Sequence, residues 1–90
     1  MSSEILRIDK LLWYLRFARS RSIAQTMAET GHIRLNGRRI DKASVAVRAG
    51  DVLTLPVHGE VRAIRILTLP ARRGPPSEAA ECWEAADSNA

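Results

Sequence analysis

Along the first third of the chain the apolar positions repeat with helical spacing, and further on they give way to alternation. Ile8, Leu11, Leu12 and Leu15 fall at i, i+3, i+4 and i+7, which places them on one stripe. This predicts a helix capped by Asp9 and running to about Phe17, with that stripe in the core. Lys10, Trp13, Tyr14 and Phe17 repeat the same spacing on another side and mix one cation with three aromatics. Rings so placed either stack on exposed bases or pack against the next helix. Packing is the preferred reading for Trp13 and Phe17, and Tyr14 stays open between the two. A second helix is predicted over Arg21–Thr30, with Ser20 as its N-cap and Gly31 as the C′ stop. Ile23, Ala24, Met27 and Ala28 form its apolar face, and the two alanines let the paired helix approach closely.

Beyond Gly31 the period changes to two. Ile33 and Leu35 flank Arg34, and Asn36-Gly37 is a strong hairpin signal because both positions tolerate positive φ. Ala43, Val45 and Val47 alternate, Gly50-Asp51 marks another turn, and Leu53 and Leu55 continue a strand that Pro56 is expected to end. His58-Gly59 turns into a last strand from Val61 to Leu69. Arg62 and Arg65 break its alternation, which predicts a bulge or an exposed edge. The segment Arg72 to Pro76 reads as a turn or linker. Ser77 is then expected to cap a short helix through about Ala86, with Trp83 docking the tail onto the body. The predicted organisation is a domain over residues 7–69, followed by a linker and an acidic tail over 70–90.

Charge changes this picture from a small domain to a small domain with a polyanionic partner. The 14 Lys and Arg exceed the 10 Asp and Glu, and they are unevenly placed. Residues 1–76 hold all 14 cations against six acids, whereas the tail from Ser77 holds Glu78, Glu81, Glu84 and Asp87. A basic body of this kind points to nucleic acid. Five cations lie between Arg7 and Arg21 alone. Arg19, Ser20, Arg21 and Ser22 sit where free amides and the positive end of a helix dipole favour an anion, and Arg38, Arg39 and Lys42 follow a tight turn.

Cys82 stands alone, so an internal disulfide and a cysteine-based metal cluster are excluded and a reducing cytoplasm is the expected compartment. The first residues do not resemble a signal peptide, and the longest apolar run, Leu11 to Leu15, is too short to span a bilayer. His32 and His58 belong to no zinc or triad spacing, and no glycine-rich phosphate loop carries a lysine. No cofactor, no metal and no enzymatic activity are therefore expected.

Taken together, the residues Arg7-Ile8-Asp9-Lys10-Leu11-Leu12, Arg19-Ser20-Arg21-Ser22 with Ala24, Gly31-x-Ile33-x-Leu35-Asn36-Gly37, and Val47 to Leu55 with Gly50-Asp51 resemble a known pattern. It is the alpha-L RNA-binding domain first described in a small-subunit ribosomal protein. Trp13, the Arg16-Phe17 step and Arg72-Arg73-Gly74-Pro75 make the chain look most like the small ribosome-associated heat-shock branch of that family. The resemblance implies an α+β fold, with a two-helix basic motif packed on a small, mostly antiparallel sheet and a short C-terminal helical tail. It further implies binding to structured ribosomal RNA, association with the large ribosomal subunit, and help in recovering stalled subunits. Carried over residue by residue, the RNA-facing candidates are Arg7, Lys10, Arg16, Arg19, Ser20, Arg21, Arg38, Arg39 and Lys42. Two departures stand out: Ala43 where proline is common, and an acidic tail where a basic extension is usual. A tRNA partner and weak, charge-driven binding of DNA are secondary expectations, and a monomer is the expected state. Two other classes compete with this reading. Related domains target RNA-modifying enzymes, although a chain of this length is not expected to carry a catalytic domain, and the aromatic-basic helix face also suits a protein partner.

Overall fold

The computed structural model describes residues 4–86. Its elements, in order, are β1 (Leu6–Arg7), α1 (Ile8–Tyr14), α2 (Arg21–Glu29), β2 (Arg34–Leu35), β3 (Arg38–Arg39), β4 (Ala46–Val47), β5 (Val52–Val57), β6 (Glu60–Ile66), α3 (Pro76–Ala80) and β7 (Trp83–Ala85). The α+β reading holds. A five-stranded sheet has the order β3-β2-β5-β6-β7, and β1 pairs with β4 in a separate two-stranded ladder. All of these pairings are antiparallel.

The predicted stripe of α1 is the centre of the core: Ile8, Leu11 and Leu12 are fully buried and Leu15 nearly so. Ala24 and Ala28 of α2 join them, together with Leu53 and Leu55 from β5 and Ile64 and Ile66 from β6. At α2 the apolar face is narrower than expected. Ile23 is 46% exposed, because Ala24 and Ala28 make the close helix contact and Ile23 stands one position round the helix from them.

Helix α1 stops at Tyr14, short of the expected Phe17. Arg16 adopts φ 67, Arg16 N donates to Trp13 O (3.1 Å) and Phe17 N donates to Leu12 O (2.9 Å). That is the Schellman arrangement, with Arg rather than Gly in the left-handed position. Phe17 accordingly leaves the helix, and it and Trp13 both meet the C-terminal segment. The Phe17 and Trp83 ring centroids lie 5.4 Å apart, and the Arg73 guanidinium stands 5.8 Å over the Trp13 ring.

Two turns match their dipeptides: Asn36 and Gly37 have φ 53 and 84, and His58 and Gly59 have φ 51 and 84. Pro56, however, does not end its strand. β5 continues to Val57, and Pro56 lies beyond Thr54, where pairing with β2 has ceased, so its missing N–H leaves no ladder bond unmade. No bulge interrupts β6 either, since its register with β5 is continuous from Val52↔Arg65 to Val57↔Glu60. Arg62 shares the face of Ile64 and Ile66 at the hairpin end, and Arg65 points the other way.

The C-terminal segment differs most from expectation. Instead of one helix to Ala86, α3 ends at Ala80, and β7 adds a strand to β6 through Ile64↔Ala85 and Ile66↔Trp83. Pro75 takes the N-cap position in place of Ser77. Arg72 to Pro76 is no free linker: Gly74 is buried, and its carbonyl accepts a 2.7 Å bond from Arg16 Nε. Trp83 docks the tail as expected, and the neighbouring Cys82 is buried.

Candidate nucleic-acid interface

The candidate surface begins where α1 begins. Arg7 is the N-cap of α1 and makes no side-chain cap bond. Two of the free amides are met by carbonyls: Ile8 N donates to Val45 O (2.9 Å) and Asp9 N to Ala43 O (3.3 Å). This corrects Asp9 from the N-cap to the first turn of the helix, where its carboxylate still accepts from one free amide, that of Lys10.

Asp9 is fully buried, and it is the one buried charged residue among the described residues. Its Oδ1 accepts from Arg7 Nε (3.1 Å) and from Lys10 N (2.8 Å), and its Oδ2 accepts from Arg7 Nη2 (3.1 Å) and Gln25 Nε2 (3.4 Å). Arg7 thus grips it with a two-pronged fork. On the other side, Arg21 Nε approaches Oδ2 at 3.6 Å. Burial by itself raises the Asp9 pKa. The hydrogen bonds from Arg7, Lys10 and Gln25 and the charge of Arg7 outweigh it, and hold the carboxyl below the ordinary carboxylate value. The acid also lies in the first turn of α1, where the helix dipole favours negative charge.

Ser20 caps α2 as predicted, with Oγ accepting from Ile23 N at 3.1 Å. Arg19 is exposed beside it. Lys42 is exposed and adjoins Ala43, whose carbonyl meets Asp9 N, so it stands by the same end of α1 as Arg7. The N-termini of both helices therefore bring Arg7, Ser20, Arg21 and Lys42 towards one region.

The remaining candidates are placed differently. Lys10 Nζ lies 5.5 Å over the Tyr14 ring, which gives Tyr14 a cation to carry. Arg16 turns its Nε to Gly74 O and leans on the C-terminal segment. Arg38 and Arg39 lie exposed on β3. A Cβ placed on Gly31 would fall 2.5 Å from Arg39 Nη2, so the Arg39 guanidinium lies over the C-terminal end of α2. A helix of 9 residues separates that end from Ser20 by roughly 13 Å. The hairpin that carries Arg38 and Arg39 is tied down by Asn36, whose Oδ1 accepts from Val52 N (2.9 Å) and whose Nδ2 donates to Asp51 Oδ1 (3.1 Å). None of the nine candidates is buried.

Sequence reasoning passed over Asp9 as an organiser, Gln25 as its fourth partner, Asn36 as an anchor rather than only a turn residue, and Arg73. The only local signals were Arg7 and Lys10 beside Asp9, since Gln25 and Arg21 come from the second helix. Among the described residues no group of three His, Cys, Asp or Glu is placed to hold a metal ion, and no helix is long and apolar enough to cross a membrane.

Comparison with known proteins gives the following. A family model described as S4 domain matches residues 6–53. Heat shock protein 15 homolog from Haemophilus influenzae is 40% identical over 77 residues, covering 84% of this chain and 58% of that protein. Heat shock protein 15 from Escherichia coli is 37% identical over 79 residues, covering 88% of this chain and 59% of that protein. The chain thus spans about three-fifths of the length of these two relatives. Small ribosomal subunit protein uS4 from Kosmotoga olearia is 35% identical over 72 residues, covering 71% of this chain and 35% of that protein. Among solved structures, a trimeric structure of Vibrio cholerae Heat Shock Protein 15 superposes with a TM-score of 0.85 at 33% identity, covering 93% of this chain and 84% of that one.

Proposed function

The chain belongs to the S4-domain family of RNA-binding modules, and from that membership we propose that it binds structured ribosomal RNA and associates with the large ribosomal subunit. The observation that carries this reading is the meeting of α1 and α2. Their N-termini bring Arg7 and Arg21 around a single buried acid, with Ser20 capping α2 and Lys42 in the loop beside the start of α1, so cationic charge there exceeds that of the buried acid. Arg19 flanks this region, and Arg39 carries the basic surface to the far end of α2, with Arg38 exposed beside it on β3. Lys10 and Arg16 border it and have partners inside the protein.

Such a surface recognises phosphate spacing and helical shape more than base identity, because its donors are mostly guanidinium groups. Compartment and role follow from the same reading. The protein acts in the cytoplasm on stalled large subunits, with tRNA and weak, charge-driven DNA binding as secondary contacts. In sedimentation of a cell extract, the protein is expected to comigrate with free large subunits and to leave them in high salt. Residence only at the soluble top of the gradient would exclude the ribosomal assignment. With purified ribosomal RNA, neutralisation of about six phosphates sets a log–log salt slope on the order of −4 to −5.

A further inference from the structure

Asp9 has more cation around it than its own charge requires. The Arg7 fork alone balances one carboxylate, yet Arg21 also brings its Nε to 3.6 Å from Oδ2, and that nitrogen is buried without a hydrogen-bond partner. An arrangement serving only to neutralise Asp9 would close this last contact or turn Arg21 outward. What the contact does achieve is directional. Both guanidiniums point their inner atoms at one fixed anchor, and the anchor is held in place by Lys10 N and Gln25 Nε2. Asp9 is fully buried, whereas the Arg7 and Arg21 side chains remain 50% and 42% exposed, so their outer edges face solvent. Arg7 has spent Nε and one Nη2 hydrogen on Asp9, leaving its other terminal hydrogens. Arg21 has all of its terminal hydrogens left, with no bond to them among the described residues.

We propose that Asp9 is a positioning residue that couples Arg7 and Arg21 into one two-guanidinium site for a single phosphate of the bound RNA. This rests on the RNA-binding reading and sharpens it: the two arginines share one phosphate rather than each taking its own. The ordering of two long side chains occurs on folding instead of on binding.

The sign of one substitution separates positioning from bulk charge. Asp9→Asn removes a negative charge from a protein that binds a polyanion. If only net charge mattered, RNA would bind more tightly. If Asp9 orients the two arginines, RNA binds more weakly, by about tenfold. The measurement is binding of a fluorescein-labelled ribosomal RNA stem-loop over a range of salt concentrations, for the full chain, Asp9→Asn, Arg7→Gln, Arg21→Gln and the double arginine variant. Circular dichroism checks that each variant is folded. A shared phosphate makes each single arginine variant lose about one unit of salt slope, and the double variant lose the same one unit, with losses in affinity that are less than multiplicative.

Tighter or unchanged binding by folded Asp9→Asn overturns the proposal, and so does a double variant that loses two units of slope. In both cases the RNA-binding reading survives. Arginine variants that leave both affinity and slope unchanged remove the RNA-facing role of this surface itself. If Asp9→Asn does not fold, the arginine cycle decides the question alone.

Discussion

The two ends of α1 use arginine in opposite ways. At the N-terminal end one buried carboxylate faces two guanidiniums, and Lys42 stands close by. At the C-terminal end each arginine is matched inside the protein. Arg72 pairs with Glu78 at 2.9 Å, Arg73 donates to Trp13 O at 3.1 Å and covers the Trp13 ring, and Arg16 donates to Gly74 O. Counting arginines therefore does not locate an RNA surface; the ratio of cation to nearby acceptor does. The first end is left with charge for a partner, and the second commits its charge to acceptors of the chain itself, holding a strap of chain.

The contrast is most exposed to charge reversal. Arg21→Glu is expected to weaken ribosomal RNA binding by roughly a hundredfold, because it loses a charge-assisted contact and adds a repulsive one. Arg72→Glu changes affinity by about threefold at most. Equal losses in a filter-binding assay would erase the distinction between the two ends. Next in size is the aromatic anchor of the strap. Trp83→Ala gives up the contact with Phe17 and part of a half-buried ring, at about 2 kcal/mol of stability in urea unfolding. It should leave RNA affinity unchanged in conditions where the protein is folded, whereas a parallel loss of affinity would tie the strap to the RNA surface.

The smallest effect is the acid limb of stability. The folded-state pKa of Asp9 lies below its unfolded value of about 4, so the stabilisation is complete above pH 4 and declines as pH falls through the folded value. A folded Asp9→Asn variant should lack that part of the decline. An unchanged acid limb would mean that Asp9 titrates alike in both states.

Much of the fold could be read from local signals. The Ile8-Leu11-Leu12-Leu15 stripe, the Ser20 cap, the Gly31 stop, and the Asn36-Gly37 and His58-Gly59 turns depend on residues close in sequence, and each appears as expected. The failures depend on distant partners. Arg16 is not a residue type that marks the left-handed conformation, and the partner of its side chain, Gly74, lies far along the chain. β7 forms because β6 offers an open edge at Ile64 and Ile66, although Trp83-Glu84-Ala85 has little strand character of its own. The candidate surface was legible in kind but not in arrangement. The cations could be named individually, while the buried carboxylate that gathers two of them draws its other contacts from Gln25 and Arg21 on the second helix.

The stop of α1 also has a consequence in time. Arg16 meets Gly74 across 58 residues and Arg73 meets Trp13 across 60, so the end of the first helix is completed by a segment made long after the helix itself. Contacts this far apart in sequence are slow to form, because a long loop must close before they return anything. A chain emerging from the ribosome can assemble its helix pair and first hairpin early. It cannot fasten the C-terminal end of α1 until the segment holding Arg73 and Gly74 has been synthesised. The strap thus acts as a late latch, and the basic segment spends part of its own synthesis exposed beside the class of RNA it is proposed to bind.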